Sequence, residues 1–174
     1  MKKFIFLSMF ALVAVAIKGQ NKNPITYTTT IGTGIPMSEP SSTPFSWQIS
    51  VHHKLTERFA IGAGTGLLVY EEALIPAFVD AKFLLTAPRK FVPYLLCGAG
   101  YAFAPTKEAN GGFLLTPSIG VQYAIHGNIK LLLGLGYEMQ KLERLKKYKN
   151  DYYIAEFKEK LTHNTLSVRF GILF

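Results

Sequence analysis

The chain contains one cysteine, Cys97, which excludes an intramolecular disulfide framework and leaves stability to the fold itself. After residue 19 no stretch approaches 18 consecutive apolar residues, which excludes transmembrane helices there. No His/Cys/Asp/Glu cluster has metal-ligand spacing, and no nucleophile elbow is present. Gly62-x-Gly64-x-Gly66 superficially suggests a phosphate loop, but period-two alternation continues through it and no helical pattern follows. Acids are also scarce, 11 against 19 Lys and Arg, for a net charge of +8. None of these absences points to a cofactor, and none is expected.

What is present begins at the N-terminus. Met1 to Lys3 is basic, Phe4 to Ile17 is almost unbroken apolar sequence, and small residues follow at Ala14-Val15-Ala16 and Gly19. This is the layout of a secretory signal peptide over 1–19, with cleavage near Gln20, rather than a membrane anchor. Losing Lys2, Lys3 and Lys18 lowers the charge to +5. That mild excess gives no reason to expect a nucleic-acid partner in an exported chain. The remaining 155 residues or so form one domain, 20–174.

Period two dominates that domain. Strands are expected near 24–35, 45–55, 58–70, 74–86, 91–103, 112–126, 128–142 and 161–174. Short connections at 55–58, 87–90 and 126–128 alternate with longer ones at 36–44, 71–73, 104–111 and 141–160. One face of each strand is bulky and apolar, as in Phe45, Trp47, Ile49 and Val51, or Leu131, Leu133, Leu135 and Tyr137. The other face mixes small residues, as in Ala60, Gly62, Gly64 and Gly66, with scattered polar ones such as Gln48, His52 and Gln122. A solvated face would be rich in Lys, Glu and Thr. Small residues suit the crowded interior of a narrow closed barrel, so the bulky set is expected to face lipid. In hydrocarbon a sheet must close, because unpaired edge N–H and C=O groups each cost several kcal/mol. The expected fold is all-β, an eight-stranded antiparallel up-and-down transmembrane β-barrel. Aromatics near strand ends, among them Tyr27, Phe83, Phe91 and Phe103, fit interfacial girdles.

The segment NTLSVRFGILF closes the sequence with Leu166, Val168, Phe170, Ile172 and Phe174 alternating on one face. This ending resembles the C-terminal assembly signal of outer-membrane barrels, carried here by Phe170, Ile172 and Phe174. With the signal peptide and eight strands, the chain resembles the small OmpA/OmpX-like family. The resemblance implies residence in the cell outer membrane among lipid and lipopolysaccharide, and insertion by the barrel-assembly machinery. It also implies periplasmic termini and short turns, with the long connections outside. No wall-binding domain is expected after Phe174.

Catalysis is not expected. Some eight-stranded barrels modify lipid A, and the deacylases carry a His-x-Ser-Asn stretch in a late strand. His163-Asn164-Thr165 lacks the serine, and Ser167 is expected to face inward, away from lipid. His52 and His53 are read as interfacial residues at a strand end, and His126 as a turn residue. Asp80, Lys82, Lys130, Glu138 and Arg169 share the inward face and are expected to pair as a plug, a narrow channel being the alternative. The stretch 141–160 holds seven Lys or Arg and four acids with interleaved aromatics. It is expected to form a hairpin beyond the membrane, with its tip near 149–151 and a surface of Lys146, Lys147, Tyr148, Lys149, Tyr152 and Tyr153. Its expected contacts are lipopolysaccharide phosphates or an external protein partner, in a structural or adhesive role. A soluble lipocalin-like barrel, apolar face inward, is the competing architecture.

Overall fold

The computed structural model describes residues 24–38, 43–105, 109–150 and 153–174. The expected signal peptide, 1–19, lies outside the described residues. The strands are β1 (Ile25–Pro36), β2 (Phe45–Lys54), β3 (Phe59–Val69), β4 (Ala73–Leu84), β5 (Phe91–Phe103), β6 (Ala109–Asn110), β7 (Gly112–His126), β8 (Ile129–Asn150) and β9 (Tyr153–Leu173). Eight of them form the wall. Each pairs antiparallel with its neighbours, β5 pairs directly with β7, and β1 pairs with β9 to close the barrel. The two-residue β6 lies outside this circuit and pairs only with Glu143 and Arg144 of β8.

Closure is completed at the chain end. Tyr27 N donates to Phe174 O at 2.8 Å and Phe174 N donates to Tyr27 O at 2.9 Å. No backbone edge is left along the seam, as hydrocarbon requires. The connections at 55–58, 85–90 and 127–128 lie at the same end as both termini, which we term the turn end. Gly127 takes φ 58° in the tightest of these turns, a conformation glycine adopts without steric cost. The connection between β3 and β4, expected at 71–73 and grouped with the longer ones, is three residues, Tyr70 to Glu72. β4 already begins at Ala73, so the strand pair is nearly continuous.

The two faces divide as the alternation predicted. Val79 is 64% exposed, Phe170 57% and Ile119 53%, whereas Glu138 and Gln140 are at most 1% exposed. This inverts the ordinary soluble arrangement and suits a wall that faces lipid. The interior is not only small and polar, however. Leu68, Leu74, Ala102, Leu114 and Leu142 are buried together beneath the end opposite the turns, which we term the hairpin end. Tyr94, Leu132 and Leu173 form a second buried apolar group nearer the turn end.

Glycines on neighbouring strands make room for these larger groups. A Cβ on Gly64 would lie 2.5 Å from Phe78 Cζ, and one on Gly120 would lie 2.5 Å from Tyr94 Cζ. Gly64 of β3 is therefore the complement of Phe78 on β4, and Gly120 of β7 that of Tyr94 on β5.

Candidate functional site

Two features can carry function: the polar groups of the lumen, and the hairpin that projects from it. Inside the lumen, Arg169 Nη2 lies 2.7 Å from Glu138 Oε2, and both side chains are almost fully buried. Glu138 Oε1 accepts a short hydrogen bond from the Tyr70 hydroxyl. Tyr70 in turn stacks on His163, with ring centroids 4.8 Å apart and planes 20° apart. A carboxylate held by a guanidinium and a phenol is well satisfied, which makes this a cross-brace among β8, β9 and the β3–β4 turn.

Asp80 lies elsewhere. Its Oδ1 is 3.0 Å from His52 Nε2, a close polar contact without hydrogen-bond alignment. Lys82, two residues along β4, does not pair with Asp80 and instead lies over the Tyr94 ring at 4.5 Å. Lys130 is half-buried at the turn end. The five inward charges thus do not form one cluster: Glu138 and Arg169 meet, while Asp80, Lys82 and Lys130 sit nearer the turns.

Several lumen partners are not evident as such in the sequence. His52 is 3% exposed on the inward face that the alternation gave it and faces Asp80, which corrects its additional reading as an interfacial residue. The physical reason is parity: it shares the inward face of Gln48 and Ser50, and inside the barrel it meets a carboxylate. Tyr94 has the parity of Gly98 and Gly100, a signal that would have placed it inward. Tyr70 continues the inward parity of Leu68 one residue beyond β3, as the expected strand 58–70 implied, but its partners were not legible.

His163, Thr165 and Ser167 face the same lumen and are each no more than 3% exposed. Ser167 Oγ donates to Gly136 O at 3.2 Å. These groups are held away from the lipid-facing wall, where an acyl substrate would lie. Among the described residues no group of three or more His, Cys, Asp or Glu side chains is arranged to hold a metal ion. Cys97 is exposed on the outward face of β5.

The second feature is a ladder that outgrows the barrel. Pairing of β1 with β9 stops at Pro36 and Thr165, and pairing of β7 with β8 stops at Leu114 and Gln140. The β8–β9 pairing continues to Asn150 and Tyr153. About ten residues on each arm extend past the wall, roughly 30 Å of strand. The base is braced: Met37 N donates to Asn164 O at 2.7 Å, and Ser38 Oγ donates to Thr162 O at 2.8 Å. Across the base, Lys160 Nζ lies 3.6 Å from Glu143 Oε1. The backbone of Lys146, Lys147, Tyr148, Lys149 and Tyr153 belongs to the arms of this hairpin, and Tyr152 lies outside the described residues. Phe170 and Ile172 face outward near the opposite end, leading to Phe174 at the seam.

No protein-family model matches the sequence, and no curated protein matches it either. Solved structures do match in fold. The outer membrane protein AlkL, solved in lipid bilayers, superposes with a TM-score of 0.58 at 10% identity, over 90% of this chain and 91% of that one. Neisserial surface protein A gives 0.53 at 14% identity, over 88% and 98%. A de novo designed transmembrane β-barrel gives 0.53 at 14% identity, over 89% and 98%. A designed barrel fits as well as a natural surface protein, so the likeness is one of fold. The chain is an eight-stranded barrel of the kind found in small outer-membrane proteins.

Proposed function

We propose that this chain resides in the outer membrane and acts as a surface protein, with the β8–β9 hairpin as its outward-displayed element. The observation that carries this reading is the ladder that runs on to Asn150 and Tyr153 after both flanking strands have stopped. Within the membrane a strand has no need of those extra pairs. Outside it, a two-stranded arm carries a charged and aromatic sequence past the wall, and beyond the β6 pairing at Glu143 and Arg144 its backbone edges suit a partner strand. The mixed charge of 141–160 suits lipopolysaccharide phosphates or a protein surface. The role is structural or adhesive rather than catalytic.

A conducting role is the second reading, and the interior weighs against it. Leu68, Leu74, Leu114 and Leu142 are at most 2% exposed, and an apolar layer of this kind is unfavourable for a water column. The test of display uses cysteine labelling in intact Gram-negative cells. With Cys97 replaced by serine, an Asn150→Cys variant should react with a membrane-impermeant maleimide without cell lysis. Labelling that needs lysis would defeat the outward orientation. Shortening the hairpin to the level of Gln140 should keep the barrel folded but reduce adherence of expressing cells to surfaces or host material. Unchanged adherence would defeat the adhesive role.

A further inference from the structure

At the turn end the lumen opens into a small basic vestibule. Lys54 closes β2, Lys82 lies near the end of β4 and Lys130 is the second residue of β8, and all three line one void of about 40 Å³ together with His52 and Gln122. A second void of about 40 Å³ lies deeper, beside Lys82, Asp80, Tyr94 and Arg169. The turn Thr56-Glu57-Arg58 frames the mouth.

Lys82 is the anomalous member. It is 6% exposed, yet among the described residues no carboxylate lies within 4.0 Å of its ammonium. The nearest acid on its strand, Asp80, is turned to His52. The face of Tyr94 offers only a quadrupole, which compensates a buried cation in part. A buried ammonium without a counter-ion is costly, and two further lysines on the same void add repulsion. The missing partner is negative charge, and the void beside the three lysines is where it fits.

Size narrows the choice. One water needs about 10–15 Å³ of such space, so each void holds about three waters. That admits a compact oxyanion and excludes a nucleotide or a phosphosugar. Lys54, Lys82, Lys130, His52 and Gln122 have the inward parity of their strands and the exposed turn 56–58 borders the same void, so entry is along the barrel axis from the aqueous phase rather than through the lipid-facing wall.

We propose that the vestibule binds a small inorganic oxyanion, phosphate being the commonest such ion, held by Lys82, Lys130 and Lys54 with the Gln122 carboxamide as a neutral donor. Bound phosphate neutralises Lys82 and ties β2, β4, β7 and β8 together below the Tyr94 layer. The barrel then carries a ligand-dependent component of its stability at the turn end.

The test measures unfolding of the folded barrel in detergent, by heat-modifiable gel mobility, at constant ionic strength. Sodium gluconate, too bulky for the void, is exchanged for inorganic phosphate. Wild type should be stabilised saturably, with the folded-to-unfolded ratio rising about elevenfold when phosphate is at ten times its dissociation constant. Lys82→Gln and Lys130→Gln should each abolish the phosphate-specific component, whatever they do to baseline stability. Lys141→Gln, exposed on the outer wall, should keep it. Should Lys82→Gln fail to fold, Lys130→Gln carries the test alone. No difference between the two salts, or a difference that survives both vestibule variants, would overturn the proposal. Stabilisation by phosphatidylglycerol in the detergent, with none from inorganic phosphate, would assign the phosphate group to lipid and overturn the free-ion site.

Discussion

Arg169 reaches Glu138 diagonally across the β8–β9 ladder: their charged atoms lie 2.7 Å apart, although the Cα partner of Arg169 is Gly134 and that of Glu138 is Thr165. The offset is four residues of strand, about 13 Å, and the two side chains lean toward each other to bridge it between them. Gly32 on β1 helps make this possible, since a Cβ there would meet Arg169 Cγ at 3.0 Å. The ion pair and the small residues around it are one arrangement.

Breaking that pair should be far worse than replacing it. Glu138→Ala leaves a buried guanidinium uncompensated and should cost about 3–5 kcal/mol, whereas Glu138→Leu with Arg169→Met should recover most of it. Equilibrium urea unfolding in detergent micelles measures both. Equal losses in the single and double variants would mean that the pair acts through packing alone.

The complement between Gly64 and Phe78 makes a second prediction. Gly64→Ala should overpack the lumen and destabilise the barrel by about 1–3 kcal/mol, and Phe78→Leu should return part of that loss. The folded fraction is read from gel mobility before and after heating. Additive losses would show that Phe78 is not what fills the space.

Phe174 joins the closing seam through two backbone hydrogen bonds to Tyr27. Deleting it should cost about 1–3 kcal/mol in detergent, since each bond is worth about 0.5–1.5 kcal/mol. If Phe174 also serves in assembly, the yield of folded barrel in cells should fall much further than refolding in detergent does. Equal effects in the two settings would confine its role to the seam.

Cys97 reports which medium the outer wall meets. It lies on the outward face of β5 between Leu95 and Ala99. In liposomes its thiol should resist a charged maleimide and react with a lipid-soluble one. Rapid labelling by the charged reagent would place that face in water and favour the soluble-barrel alternative.

Much of the wall was legible in the sequence because strand periodicity is local. Ile129, Leu131, Leu133 and Leu135 alternate with Lys130, Leu132, Gly134 and Gly136, and that alternation alone separates the two faces. The same parity puts Asp80 and Lys82 on one side of β4. The continued alternation on both arms of 141–160 also announced a hairpin rather than a coil.

The contents of the lumen were another matter. Nothing local tells Asp80 that it faces His52, or Lys82 that it lies over Tyr94, because those residues come from other strands whose register is fixed only when the barrel closes. The leucines of the inner layer, Leu68, Leu74 and Leu114, are indistinguishable in sequence from lipid-facing ones except by parity. Tyr70 keeps the parity of Leu68 in the expected strand 58–70, but that it meets Glu138 and His163 depends on strands that come later in the chain. The sequence by itself determined a closed barrel with a lipid-facing wall, since that follows from alternation and from the cost of unpaired backbone in hydrocarbon. Only the tertiary structure decided which buried charges meet and that Lys82 has no carboxylate within 4.0 Å among the described residues, because electrostatic pairing depends on distances across strands that no local pattern encodes.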